Sequence, residues 1–181
     1  LHIAGWLHDC GKVTTPEYIV DKSTKLETIY DRIESVYARF EILKRDAEIA
    51  HLKAVLKHGS KSEELHTDLK KKFARLDEER EFITDINIGG EYLMDADKNR
   101  IKKIAQYKWR DWTGTFRNLL DENEVYNLSI ERGTLTSEER QIINDHIVRT
   151  IEMLDKLHFP KHLKRVPEYA GGHHEKMDGS G

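Results

Sequence analysis

Apolar residues recur along most of this chain at helical spacing. From Leu26 through Ile29, Ile33, Val36, Phe40, Leu43, Ala47, Ala50 and Ala54 the gaps are 3, 4, 3, 4, 3, 4, 3 and 4. Such alternation keeps one stripe of an α-helix apolar and is the seam of a coiled coil. The seam narrows to alanine at its far end, and HGSKS at 58–62 breaks it. A second stripe follows at Leu65, Leu69, Phe73, Leu76, Ile83 and Ile86, and Gly89-Gly90 closes it. The simplest geometry is an antiparallel two-helix arm with its turn at Gly59-Ser60, roughly 40–45 Å long at 1.5 Å per residue. A shorter helix is expected from about Lys98 to Trp109, begun by Asp95 or Asp97.

The two ends are patterned differently. In LHIAGWL, Ile3, Ala4 and Leu7 share a helical face, and Gly11 reads as the stop after Cys10. Pro16 begins the next short segment. Further on, Thr136 and Glu139 predict a capping box. The helix beyond carries Ile143, Ile147, Ile151 and Leu154 on one face, with His146 toward the same buried side. Pro160 is expected to stop it, and Pro167 to open a helix running toward Gly171-Gly172. No stretch reads as a strand, so the fold class is all-α. The expected division is a core in two segments, 1–22 and 134–181, with a helical insert at 23–133.

Composition narrows the function classes. Of 181 residues, 35% are charged and 38% hydrophobic, and the mean hydropathy is −0.72. This is a polar chain with enough Leu, Ile, Val and aromatic residues for a modest core. A formal net charge of −3 gives no general attraction for nucleic acid. The single cysteine, Cys10, excludes an internal disulfide and fits a reducing cytoplasm. No apolar run approaches membrane-spanning length. The chain runs from Leu1 to Gly181 and reads as an internal piece of a longer protein.

Candidate chemistry lies at the ends. Of ten histidines, only His51, His58 and His66 fall in the long middle. His8-Asp9 pairs an imidazole with a carboxylate at a helix end, where both side chains can turn toward one pocket. An isolated HD dipeptide is more often a capping pair. His146, alone, is more often a core histidine bonded to a carbonyl. His173-His174, followed by Glu175 and Asp178, is either an exposed polar turn or a pair of imidazoles converging on a cation. Lys12 would neutralise a phosphate oxygen near such a site or stand solvated after a helix end. Cys10 reads as a small packing residue. Taken together, HD-x-x-K, a buried-face histidine and HHE-x-x-D fit two or three divalent transition metals bound by mixed His and Asp ligands. Such ions activate water and clamp a phosphodiester for in-line attack. YKWRDWTGTF, at 107–116, mixes aromatic and basic residues. Its expected role is structural, with Trp109, Trp112 and Phe116 packing the base of the arm onto the core.

LHDCGKVTTP resembles the HDxGKxxxP signature of the HD-GYP phosphodiesterases, bacterial enzymes of cyclic di-GMP breakdown. HHEKMDGSG resembles their second signature, HHExxDGxGYP, up to the Tyr-Pro. LTSEERQIINDHIVRTIEML is similar to the family helix that carries an intermediate histidine ligand. By motif the resemblance covers the first 22 and last 48 residues; the arm is a looser match to the long helical insert of one subgroup. The resemblance implies an HD-domain helical bundle. It implies metal binding by His8, Asp9, His146, His173 and His174, with Asp9 bridging, and Lys12 near the substrate phosphate. Asp178 and Gly179 match a loop that braces the site. The implied metals are iron or manganese. The implied reaction opens cyclic di-GMP to pGpG or GMP in the cytoplasm, under an N-terminal sensor or receiver domain. The family's ligand upstream of the HD pair and its later Asp ligand have no counterpart in these 181 residues. The heptads would pair with a second copy in a homodimer or with the returning helix. Two other functions fit the same residues: a phosphohydrolase for another nucleotide, or a signalling module with a degenerate site.

Overall fold

The computed structural model describes residues 1–58, 62–90 and 92–179. In chain order the elements are α1 (His2–Leu7), a 3₁₀ turn (Cys10–Thr14), α2 (Glu17–Val20), α3 (Ile33–His58), α4 (Ser62–Ile88) and α5 (Asp95–Ala105). There follow β1 (Lys108–Arg110), β2 (Phe116–Asn118), α6 (Glu122–Leu128), α7 (Ser137–Asn144) and α8 (His146–Asp155). A 3₁₀ turn (Lys161–Leu163), α9 (Val166–Gly171) and a last 3₁₀ turn (Gly172–His174) complete the described chain. The protein is mostly helical, as expected, and no described helix is long and apolar enough to cross a membrane. Two compact units form: Leu1–Asp21 with Leu135–Gly181, and Lys22–Thr134.

In the unit Lys22–Thr134, α3 and α4 lie antiparallel. Tyr37 hydrogen-bonds Thr84 at 2.8 Å, and Lys44, one seven-residue step later, pairs with Asp77, seven residues earlier. Val36, Phe40, Leu76 and Ile83 are buried between them, joined by Ile101, Ile104 and Leu128. The seam is shorter than the spacing predicts. Leu26 is buried but lies outside the helix, Ile29 is 92% exposed, and Ala50 is exposed. The cause is local. Glu27 Oε2 accepts from the Ser23 and Thr24 backbone N–H groups, and Asn87 Oδ1 accepts from Leu26 N at 2.8 Å. These side chains offer the backbone partners that a helix would otherwise supply. The turn expected at Gly59-Ser60 lies outside the described residues. The second stripe ends as predicted: Gly89 takes φ +74° just after α4.

The expected helix 98–109 begins at Asp95, where the Asp97 carboxylate accepts from Met94 N, but it stops at Ala105. YKWRDWTGTF then forms an antiparallel hairpin, Lys108 opposite Asn118 and Arg110 opposite Phe116, where no strand was predicted. Asp111 builds its turn. Its Oδ1 accepts from Thr113 N at 2.9 Å and Thr115 N at 3.0 Å, and Gly114 takes φ +85°. Trp112 is 94% and Phe116 68% exposed, so they do not pack a core; Trp109 donates to Asn118 O.

In the other unit, Ala4, Leu154, Val166 and Ala170 form a small core with Leu7, Cys10, Phe159 and Leu163 around it. The capping box is present: Thr136 Oγ1 accepts from Glu139 N, and Glu139 Oε2 from Thr136 N. The single predicted helix is two, interrupted at Asp145. The buried residues of α8 are His146, Thr150 and Leu154; His146 and Leu154 lie inward as expected, and Ile151 is exposed. α8 ends at Asp155, before Pro160, and Pro167 sits in the first turn of α9.

Candidate metal centre

Helix α1 stops at Leu7; His8 keeps helical dihedrals, and Asp9, at φ −107° and ψ 11°, departs from them, so the two side chains turn to the same side. His8 Nε2 stands 3.2 Å from Asp9 Oδ2. Gly11 is required for a different reason from the predicted helix stop. A Cβ there would lie 2.0 Å from His146 O and 2.6 Å from Thr150 N, so only glycine lets this turn lie against the backbone of α8. Thr150, fully buried, ties the two segments together: its hydroxyl accepts from Gly11 N at 2.9 Å and donates to His8 O at 3.2 Å. Sequence reasoning missed Thr150. The available signal was its position four residues after His146, on the same helical stripe.

His146, the first residue of α8, is 3% exposed and its Nε2 stands 3.3 Å from Asp9 Oδ1. His173, on the last 3₁₀ turn, brings its Nε2 to 3.6 Å from the same oxygen. His174 joins through ring centroids 4.2 Å from His173 and 5.2 Å from His146. Three rings share a second feature. Nδ1 of His8 meets Gly5 O at 2.7 Å, Nδ1 of His173 meets Ala170 O at 2.6 Å, and Nδ1 of His146 meets Ile143 O. A carbonyl only accepts, so each Nδ1 is assigned the proton and each Nε2 presents its lone pair toward Asp9.

The electrostatics keep donors available. The Lys12 ammonium, 2.8 Å from Asp9 Oδ2, holds that carboxyl below the usual carboxylate range against an opposing burial effect. Burial, helped by His173, pushes the His174 imidazole below its ordinary value, favouring the neutral form that ligates metals.

These residues fit a divalent cation. His146 Nε2 is buried and has no hydrogen-bond partner among the described residues; its approach to Asp9 lacks hydrogen-bond alignment. An orphaned lone pair at that depth is costly unless a cation takes it up. Two groups, His146–His173–His174 and His8–Asp9–His173, each place one atom per residue within 4.8 Å of the others. His173 belongs to both. Imidazole nitrogen with carboxylate oxygen suits first-row transition metals. All the predicted site residues, His8, Asp9, Lys12, His146, His173 and His174, therefore lie in one neighbourhood. Asp178 and Gly179 follow on an exposed turn, Gly179 at φ +74°.

A family model described as HD domain matches residues 123–181, a span containing His146, His173 and His174. No curated protein and no solved structure matches the chain. The match covers about a third of the chain and leaves out His8 and Asp9. The match likens the last third of the chain to an HD domain, and the mostly helical fold agrees with a helical bundle.

Proposed function

We propose that this protein is a metal-dependent phosphodiesterase that opens cyclic di-GMP to pGpG or GMP. The observation that carries the hydrolase reading is the unpartnered, buried Nε2 of His146 facing the same carboxylate as the Nε2 atoms of His8 and His173. The substrate reading rests on LHDCGKVTTP and HHEKMDGSG, with their likeness to the HD-GYP signatures.

His8, Asp9, His146, His173 and His174 would hold two or three cations, iron or manganese. Bound, such ions supply an activated water and neutralise phosphate charge. The chain's own part is positional. The carbonyls of Gly5, Ile143 and Ala170 fix the tautomers and ring orientations. Thr150 and Gly11 hold the HD turn against α8. Lys12, half-exposed beside Asp9, reaches a phosphate oxygen of the entering diester.

Purified protein supplied with manganese or iron should convert cyclic di-GMP to pGpG, and a His173→Ala, His174→Ala double variant should not. Equal turnover by both proteins overturns the reading. A panel of other cyclic and linear nucleotides tests the substrate separately: wild-type turnover of one of these, with cyclic di-GMP untouched, retains the hydrolase and removes the proposed substrate.

A further inference from the structure

The unit Lys22–Thr134 contains a cavity of about 550 Å³ between α3, α4 and β1. Its cationic lining is Lys71, Lys72 and Arg75 from α4 and Lys108 from β1; among the described residues no carboxylate lines it. Leu43, Leu76 and Tyr107 form the apolar part of the wall. In a chain of net charge −3, four cations around one hollow is a strong local departure.

The neighbouring acids do not cancel it. Glu79 is not among the lining residues; its Oε1 accepts from Tyr107 at 2.8 Å and from Arg75 Nε at 3.2 Å. Asp77 is turned to Lys44. Lys108 bonds only the neutral Asn118 Oδ1, at 2.6 Å. Lys71 and Lys72 have no ion pair among the described residues. Lys71, Lys72 and Lys108 thus line a hollow with a partly apolar wall, where the field of Lys71 and Lys72 is not cancelled by an ion pair and that of Lys108 stands beside Asn118. The size is within the range of small-molecule pockets.

We infer that this cavity binds a phosphate-bearing small molecule of nucleotide size, its phosphates on Lys71, Lys72 and Lys108 and its ring against Leu43, Leu76 and Tyr107. The site is separate from the histidine cluster and does not depend on the proposed hydrolysis. The phosphates are held by several monodentate ammonium contacts, and Arg75, tethered to Glu79, braces the aromatic wall from 5.7 Å above the Tyr107 ring.

The test uses EDTA-treated protein at low ionic strength, with guanosine 5′-diphosphate and inorganic pyrophosphate titrated separately by calorimetry. Guanosine diphosphate should bind, and pyrophosphate, which has nothing to lay on the apolar wall, should bind at least about tenfold more weakly. Replacing Lys71, Lys72 and Lys108 together by Gln should weaken guanosine diphosphate by at least about tenfold. These lysines are exposed, so circular dichroism and melting temperature should match wild type. Asp9→Asn should leave the binding unchanged. Three results overturn the site: no binding in the millimolar range, equal binding by the triple variant, or loss of binding in Asp9→Asn. Pyrophosphate binding as tightly as guanosine diphosphate overturns the role of the apolar wall.

Discussion

Two carboxylates, one in each unit, show how the same chemistry serves opposite ends. Glu124 is 1% exposed and closed. Arg39 gives it two parallel bonds of 2.7 Å, and its Oε2 also accepts the Asp121 N–H. Asp9 is half-covered and open. Three imidazole nitrogens stand 3.2 to 3.6 Å from its oxygens, and one of them, on His146, is buried with no hydrogen bond. A closed carboxylate stabilises its surroundings. The open one meets Lys12 at 2.8 Å on Oδ2 and still faces imidazole lone pairs, a set arranged for a further cation.

The largest test of this contrast is at Arg39. Arg39→Ala leaves Glu124 buried and uncompensated and should destabilise the Lys22–Thr134 unit by about 3–5 kcal/mol in denaturant unfolding. Asp9→Asn should cost less than about 1 kcal/mol by the same measurement in metal-free protein. Comparable losses from both would erase the distinction.

Lys25 sharpens the comparison through pH. It is 1% exposed, donates to Leu128 O and Ile130 O, and burial pushes its ammonium down from 10.5 to about 8. Below about 8 both folded and unfolded chains are protonated, and the burial penalty is present in full. Between about 8 and 10.5 the unfolded chain holds a proton that the folded chain lacks, so stability rises with pH across that window. The rise should reach about 3 kcal/mol relative to Lys25→Met. Parallel stability profiles for the two proteins would remove this account of Lys25.

The smaller expected effects are at the seam between the HD turn and α8. Thr150→Val strands the buried Gly11 N–H and should cost about 1–3 kcal/mol, with Thr150→Ser close to wild type. Gly11→Ala drives a methyl into backbone and should cost about the same through overpacking. Both should also weaken manganese binding, because the His8-Asp9 step moves away from His146. A Thr150→Val protein with wild-type manganese affinity would reduce Thr150 to a packing residue.

Much of this was legible wherever a signal is local. The Thr136–Glu139 box, the end of α4 at Gly89 and the middle of the α3 and α4 stripes follow from spacing and capping chemistry. The gathering of His8, Asp9, His146, His173 and His174 was expected from motif likeness. What escaped depends on partners distant in sequence or on turn chemistry. Asn87 captures Leu26 N from 61 residues away and turns the start of the seam into a loop. Asp111 organises a hairpin in a segment whose aromatic residues suggested packing. In α8 the stripe of His146 and Leu154 passes through Thr150, so a threonine rather than Ile151 is buried there. Gly11 is visible as a glycine in the sequence, but the 2.0 Å approach that requires it belongs to the packing.

The most direct test of the central claim is manganese titration of metal-stripped protein, read by electron paramagnetic resonance, for wild type and His146→Gln. The account predicts that wild type binds manganese with nitrogen coupling in the spectrum, and that His146→Gln loses at least about tenfold in affinity while keeping its melting temperature. Identical titrations for the two proteins, or no binding by wild type, would contradict it.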